Sequence, residues 1–444
     1  MDHGRLMEEL LGVSWIDARG LTEYEGGPCE ATSADFTIQG NGVCLTRNDV
    51  LEADGHWQFR EHARLCLHPL ALWLAWNFYR LSYEPIPETR SRSLPLEWAL
   101  AHDMANVGEG YIWPPLTIYS DGARSVFRPG ITEVESLDPV RYTSTVPLVL
   151  SVTDLQEAIL RFLRLCQSRL SAQGISDAPF QQVFAELQEE LQDDRARRWR
   201  KTEAMLGFDP DGAPQGFLDV FPALMDYLGE ENVSELAANG ERTFVSATDF
   251  KSWMHAQGIA RQPQALGLDP VDLKVNSPAW MTAMESAQSL RRHLGIQGQV
   301  TDLRLAEICG VKPEAILHDG LPGSLDQLTV YSADEKRLVL GAGRRPESRR
   351  FALARLLGEE LLEKKDKQFS LITCSKTYRQ KFQRAFAAEF LCPREEVQNR
   401  LDCDSADEEV IADIAESFRV STYVVEHALE NGSRVKDPLD ISAA

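Results

Sequence analysis

Apolar side chains recur at helical spacing through much of the chain. Leu155, Ile159, Phe162, Leu163, Cys166 and Leu170 line one face of a helix, and Thr153-Asp154-Leu155-Gln156 reads as its capping box. Phe180, Val183, Phe184, Leu187 and Leu191 predict a second amphipathic helix. Phe217, Val220, Phe221, Leu224 and Leu228 predict a third, closed by Gly229. Between them, Gly207 to Gly216 reads as a connecting loop, so 151–262 is expected to be a helical domain. Arg261 to Asn276 keeps no period and reads as a linker. Beyond it, Ser277-Pro278 supplies an N-cap and a first-turn proline for a helix that stops at Gly295. Helices are then expected from about Glu347 to Leu362 and from Thr377 to Leu391, the second with Tyr378, Phe382, Phe386 and Phe390 on one stripe. Two short helices close the region, the first opened by Ser405-Ala406-Asp407-Glu408 and the second ended by Asn431-Gly432. Residues 433–444 read as a loose tail.

Strand signals are confined to shorter stretches. Phe36-Thr37-Ile38 and Val43-Cys44-Leu45 flank Gly40-Asn41-Gly42, and Leu116 to Tyr119 and Ser125 to Phe127 flank Ser120-Asp121-Gly122. Each is a hairpin signal. A third lies at Leu328 to Tyr331 and Leu338 to Leu340. His56 to Tyr83, rich in aromatics, is expected to be helical. The fold class is therefore α+β and mostly helical, with a mixed α+β domain over 1–150, a helical middle and a third domain from 276 to 432.

Composition narrows the function classes. A length of 444 residues suits roughly three domains, and 43% hydrophobic residues supply a buried core. With 46 Lys+Arg against 68 Asp+Glu the formal charge is −22, which argues against sequence-blind binding to nucleic acid or anionic lipid. The opening residues carry acids where a secretory leader has its apolar run, and the most apolar stretch, Leu65 to Tyr79, is broken by His68, Pro69 and Asn77. The eight cysteines include no CxxC, a pattern of reduced thiols. A cytoplasmic protein is expected, with no membrane partner.

The specific signal lies in the last third. Arg350-Phe351-Ala352-Leu353-Ala354-Arg355-Leu356-Leu357-Gly358-Glu359, followed by Arg384-Ala385-Phe386-Ala387-Ala388-Glu389-Phe390-Leu391-Cys392-Pro393, resembles the ImmA/IrrE family of metallopeptidases. In that family a helix reading RRFxLAHELGH precedes one reading ANxFAAELLMP. Flanking segments from Ala287 to Ile316 and from Ile414 to Leu429 resemble the family's leading and closing helices, so the likeness spans roughly Asn276 to Gly432. The resemblance implies a zincin-like domain, prokaryotic, with roles in stress signalling, mobile-element regulation and phage defence, where the domain recognises a partner protein such as a repressor.

The family's chemistry needs HExxH on a helix, two histidines on one face for zinc and a glutamate to activate water. Here those positions hold Arg355, Leu356 and Glu359, and the neighbourhood of the third ligand reads Gln380-Lys381-Phe382. A guanidinium stays protonated and leucine is no base. The implied domain is a pseudo-metallopeptidase with no catalytic residue, no metal and no cofactor, and the function expected is regulatory or scaffolding, through a repressor, toxin or defence-complex subunit. Arg355 and Glu359, at i and i+4, are expected to form a helix-surface ion pair. Arg344, Arg345, Arg349 and Arg350, at the mouth of this helix, are candidate contacts for an acidic partner or an anion.

Other signals carry less. The helix-turn-helix-like segments Leu305–Ile316 and Ile411–Leu429 lack basic side chains where DNA reading needs them, since Val420 to Glu430 offers neither Lys nor Arg. The basic run Arg195 to Lys201 follows four acids and reads as self-paired. His62 and His68 share no helix face, so no metal is expected there. Asn77, Arg80 and Glu84 follow one another at helical spacing, as a salt-bridged face or the lining of a ligand groove. Two alternatives to the regulatory reading follow: an enzyme of unknown activity in residues 1–260, and a DNA-associated transcription regulator.

Overall fold

The computed structural model describes residues 10–16, 27–87, 94–133, 137–176, 178–239, 246–274, 277–317, 328–341, 343, 345–363, 368–400 and 407–434. They form two compact units, divided between Ala213 and Pro214. The helices expected over 151–262 are thus shared between the units. The fold is α+β and mostly helical.

In the first unit, β2 (Ser33–Gly40) pairs antiparallel with β1 (Leu11–Trp15), β3 (Val43–Cys44) and β6 (Ala63–Cys66). Its hairpin to β3 turns through Asn41 and Gly42 alone, at φ of 50° and 80°. Those positive values suit a two-residue turn whose twist matches the strands. β4 (Asn48–Leu51) lies between β5 (Trp57–Arg60) and β9 (Val140–Tyr142), and β8 (Arg124–Pro129) between β7 (Leu116–Ser120) and β10 (Leu148–Ser151). The helices are α1 (Pro28–Ala31), α2 (His68–Trp76), α3 (Phe78–Tyr83), α4 (Leu96–His102), α5 (Val152–Ala172), α6 (Ala178–Gln192) and α7 (Asp194–Met205). The apolar faces of α1 to α3 and α5 to α7 close one core, in which Phe36 of β2 meets Phe162 of α5 with ring centroids 5.8 Å apart.

Two expectations for this unit are corrected. His56 to Tyr83 is not one helix. Its first part is β5 and β6, where Ala63 and Leu65 are buried and Arg64 between them is exposed, a period of two. Helix begins only at His68, with Pro69 in its first turn, and breaks at Asn77. The cap of α5 is Ser151, whose hydroxyl accepts from the Asp154 N–H at 3.0 Å, two residues before the expected box. Within the basic run on α7, Arg197 and Arg200 pair with nearby acids, as expected of the run. Arg197 meets Asp194 at 2.6 Å, and Arg200 meets Glu190, Glu203 and Asp211 at 2.6, 2.8 and 2.8 Å.

The second unit opens with α8 (Gln215–Leu228), α9 (Glu230–Ala237) and α10 (Ala247–Gln257). A sheet ordered β11 (Ile259–Ala260), β13 (Arg337–Val339), β12 (Thr329–Ser332), β14 (Phe369–Ile372) follows, with β14 at one edge. One core is shared by residues of this sheet and of α11 (Ala279–His293), α12 (Asp302–Cys309), α13 (Glu314–Leu317), α14 (Pro346–Leu361), α15 (Tyr378–Leu391), α16 (Arg394–Arg400), α17 (Glu408–Phe418) and α18 (Thr422–Arg434), of which α14 packs on β14. Helix α11 starts one residue later than expected, with Pro278 as its N-cap. Helix α16 was not expected, since Pro393 read as a stop. Two acids, Glu395 and Glu396, sit in its first turn, where the helix dipole favours them. The tail beyond Arg434 and the Ser405-Ala406 cap lie outside the described residues. No described helix is long and apolar enough to cross a membrane.

Candidate functional site

Helices α14 and α15 cross so closely that Gly358 has no room for a side chain. A Cβ there would lie 2.8 Å from Cδ1 of Phe386. The crossing is sealed by the aromatic stripe of α15, where Tyr378, Phe382, Phe386 and Phe390 are all fully buried. The contact brings the middle of α14 against the first turns of α15 and the 373–377 turn that follows β14.

Arg355 points from α14 into this contact. Its Nη2 donates to the Thr373 carbonyl at 2.8 Å, to Gln380 Oε1 at 2.6 Å and to Gln383 Oε1 at 3.2 Å, while its Nε is buried without a partner. Burial, with Arg384 close by, pulls its pKa down to about 9. One turn on, Glu359 is also fully buried. It accepts from Arg379 Nε at 2.9 Å and from Gln383 Nε2 at 2.7 Å, and a second Arg379 nitrogen pairs with its other oxygen. Burial alone would weaken the charge on Arg379, but the Glu359 carboxylate outweighs it and drives that pKa up. Gln383 thus bridges the two residues, accepting from Arg355 and donating to Glu359. Leu356 between them is fully buried in the core.

The expected surface ion pair between Arg355 and Glu359 is therefore corrected. Neither side chain lies at the surface, and each finds its partners on α15 and the preceding turn. The spacing was right for proximity, but the face that carries both residues is the face that α15 covers. Arg379 and Gln383 were missed as site residues. The available signal was Gln380 and Gln383, two amides that interrupt an apolar helix on the side facing α14.

These residues do not fit a zinc ion. Zinc takes nitrogen, sulfur or carboxylate donors at about 2.0–2.3 Å, whereas this set offers a guanidinium, an alkyl chain, two amides and one carboxylate already bound by Arg379 and Gln383. Among the described residues, no group of three or more His, Cys, Asp or Glu side chains could hold a metal ion.

The basic residues at the head of α14 divide. Arg349 and Arg350 are buried. Arg349 donates to the carbonyls of Gly343 and Ile316 at 3.2 and 3.4 Å. Arg350 pairs with Asp302 at the start of α12 and donates to the carbonyls of Val300 and Arg419 at 2.6 and 3.1 Å. Both pin α14 to its neighbours, and neither guanidinium faces solvent. Arg345 is exposed, and Arg344 lies outside the described residues.

The Asn77, Arg80 and Glu84 set in the first unit is buried and internally satisfied. Arg80 meets Glu84 at 2.6 Å and Asp209 at 2.8 Å. Glu84 also receives Nε2 of His102 at 2.8 Å, and Nδ1 of His102 lies 2.6 Å from the Ile118 carbonyl. Trp98 stacks on His102 at 4.2 Å between ring centroids. Burial raises the Glu84 carboxyl, but His102 and Arg80 together outweigh it and hold it below the usual range. This is a closed ion network, packed as a structural strut and not as a groove.

Residues 316–430 match the family model described as the IrrE N-terminal-like domain. No curated protein and no solved structure matches the chain. The family match begins at the end of α13, so α11 and α12 lie ahead of it while sharing its core. The C-terminal part of this chain, from Ile316 to Glu430, is an IrrE N-terminal-like domain.

Proposed function

We propose that this chain is a non-catalytic regulatory or scaffold protein whose IrrE N-terminal-like domain binds a partner protein, in a prokaryotic defence, stress-response or toxin–antitoxin-like system. The observation that carries the reading is the interlocked set on α14 and α15. The positions that the resemblance assigns to the zinc ligands and the base are Arg355, Leu356 and Glu359, and their polar members are tied to Gln380, Gln383 and Arg379. A buried ion network of this kind holds the helix pair in one geometry while supplying no base and no metal donor set. What the domain retains is a framework able to recognise a protein segment. The exposed Arg345 is a proposed contact for an acidic partner.

A native pull-down at moderate salt, read by mass spectrometry and by the 260/280 nm absorbance ratio, tests this. A stoichiometric protein partner, bound and left uncut, is the expected result. Chelator-sensitive cleavage of that partner would overturn it. Co-eluting nucleic acid would favour the transcription-regulator alternative, which the acidic charge and the Lys- and Arg-free stretch from Val420 to Glu430 disfavour. The closed Arg80–Glu84–His102 network disfavours an enzyme site at that place in the first unit.

A further inference from the structure

Cys29 and Cys66, both free, lie far apart in sequence and meet beside α1 in the first unit. The end of α1 is tied to the start of β2, where the Ser33 hydroxyl donates to the Cys29 carbonyl at 3.1 Å. Ser33 in turn is the register partner of Cys66 on β6, and the Leu67 N–H donates to the Thr32 carbonyl at 3.0 Å. Cys29 stands one helical turn before Ser33, so this pairing brings the two sulfurs together, and the Cys29 thiol hydrogen-bonds to Cys66.

Cys66 is almost wholly buried, as are Cys309 and Cys392. Burial pushes the Cys309 and Cys392 thiols up to about 12. Cys66 goes the other way, below the ordinary thiol value, because donors converge on its sulfur. The Cys29 thiol counts most, followed by the Thr32 hydroxyl, the His68 N–H at the start of α2 and the Tyr111 hydroxyl. Thr32 Oγ1 lies 3.5 Å from Sγ of Cys66 and accepts from the His68 N–H at 3.0 Å. Its single proton has two acceptors, the Pro28 carbonyl at 2.8 Å and the Cys66 sulfur, and a charged sulfur draws it more strongly. The bond to Cys66 pushes the Cys29 thiol up, although the His68 side chain beside it acts in the opposite sense. When the pair ionises, the charge therefore rests on Cys66 and the remaining proton on Cys29. The half-buried Cys29 is the accessible member.

We propose that Cys29 and Cys66 are an oxidant-sensing pair, joined as a disulfide by a small hydroperoxide and released again by a thiol reductant. Cys29 passes its proton to Cys66 while its sulfur attacks one peroxide oxygen, the O–O bond breaks, and Cys29 becomes a sulfenic acid. The departing hydroxide takes the proton from Cys66 and leaves as water. The Cys66 sulfur then attacks the Cys29 sulfur, the S–O bond breaks, and the second hydroxide leaves as water with a proton from solvent. Two electrons pass from sulfur to oxygen, so two thiols and one hydrogen peroxide give one disulfide and two waters. The new bond fastens α1 to the junction of β6 and α2 and closes the loop between residues 29 and 66. The pair lies outside the IrrE N-terminal-like domain and does not rest on the partner reading.

The test treats the full chain with hydrogen peroxide, blocks the remaining thiols with iodoacetamide in denaturant and maps tryptic peptides by mass spectrometry. A Cys29–Cys66 linked peptide is expected, opened by dithiothreitol and formed at least about tenfold faster than Cys309 or Cys392 loses reactivity. Both cysteines still alkylated, or oxidised without the link, overturns the proposal, and this readout needs no variant. In folded C66S the sulfenic acid at Cys29 has no second sulfur to meet, so dimedone should trap it; no adduct there overturns the proposed order of attack. T32V removes a donor to the charged sulfur and should carry the pH profile of the linking rate to higher pH, with T32S restoring it. An unmoved profile overturns the part given to the Thr32 hydroxyl.

Discussion

Replacing Glu359 with alanine strands the Arg379 guanidinium inside the protein, and breaking a buried pair in this way costs about 3–5 kcal/mol. R355M removes a cation that burial already disfavours, but leaves the oxygens of Thr373, Gln380 and Gln383 with one donor fewer, at about 1–3 kcal/mol. Urea denaturation should therefore rank E359A below R355M, and the reverse order would show that Arg355 is the more important of the two charges. Glu235 supplies a pH test. Burial raises its carboxyl above the usual range despite Arg379 and Thr377. The folded state thus holds that proton more tightly, and stability falls as pH rises from the ordinary carboxyl value toward the raised one. E235Q should flatten this slope in thermal midpoints. Glu84 runs the other way, because its folded value is depressed. Its stabilisation is present above the ordinary carboxyl value and is lost as pH falls through the depressed one, and E84Q should remove that acid limb. Of these residues, Arg355 and Glu359 were legible as positions. Their partners were not, since i, i+4 spacing gives proximity on a helix and says nothing of which neighbouring helix covers that face.

At the scale of elements, the close crossing of α14 and α15 depends on Gly358. G358A adds a methyl where Phe386 already stands, and the overpacking should cost about 1–3 kcal/mol in chemical denaturation despite alanine's better helix propensity. A neutral result would show that the helices can part without loss. The long helices were legible because their apolar period persists over several turns, as in α5, α6 and α15. The strands β5 and β6 were read as helix because Trp57, Phe59 and Leu65 run on into the apolar α2. The alternation of Ala63, Arg64 and Leu65 was the overlooked cue. Edge strand β14 was missed altogether, since Phe369 to Ile372 is four residues long and buried throughout. A short strand without alternation carries no period to read.

For the whole molecule, the donor set predicts indifference to zinc. A metal bound only by the folded chain at a hundred times its Kd would add about 2.7 kcal/mol. Neither excess zinc nor a chelator should shift the thermal midpoint. A rise of several degrees with zinc would show a site that these residues do not form. The C-terminal domain was legible from two helices whose motifs sit in register with a known family. The division at residue 213 was not, because amphipathic helices of similar pattern lie on both sides of it. The interlocked set has a consequence for how such a chain can change with time. A histidine at 355 alone forfeits the guanidinium that Gln380 and Gln383 hold, and a histidine at 359 alone takes from Arg379 the carboxylate that it pairs with. Either single step toward a metal-binding helix descends in stability before any ligand can offset it, so the arrangement resists a gradual path to a metal site.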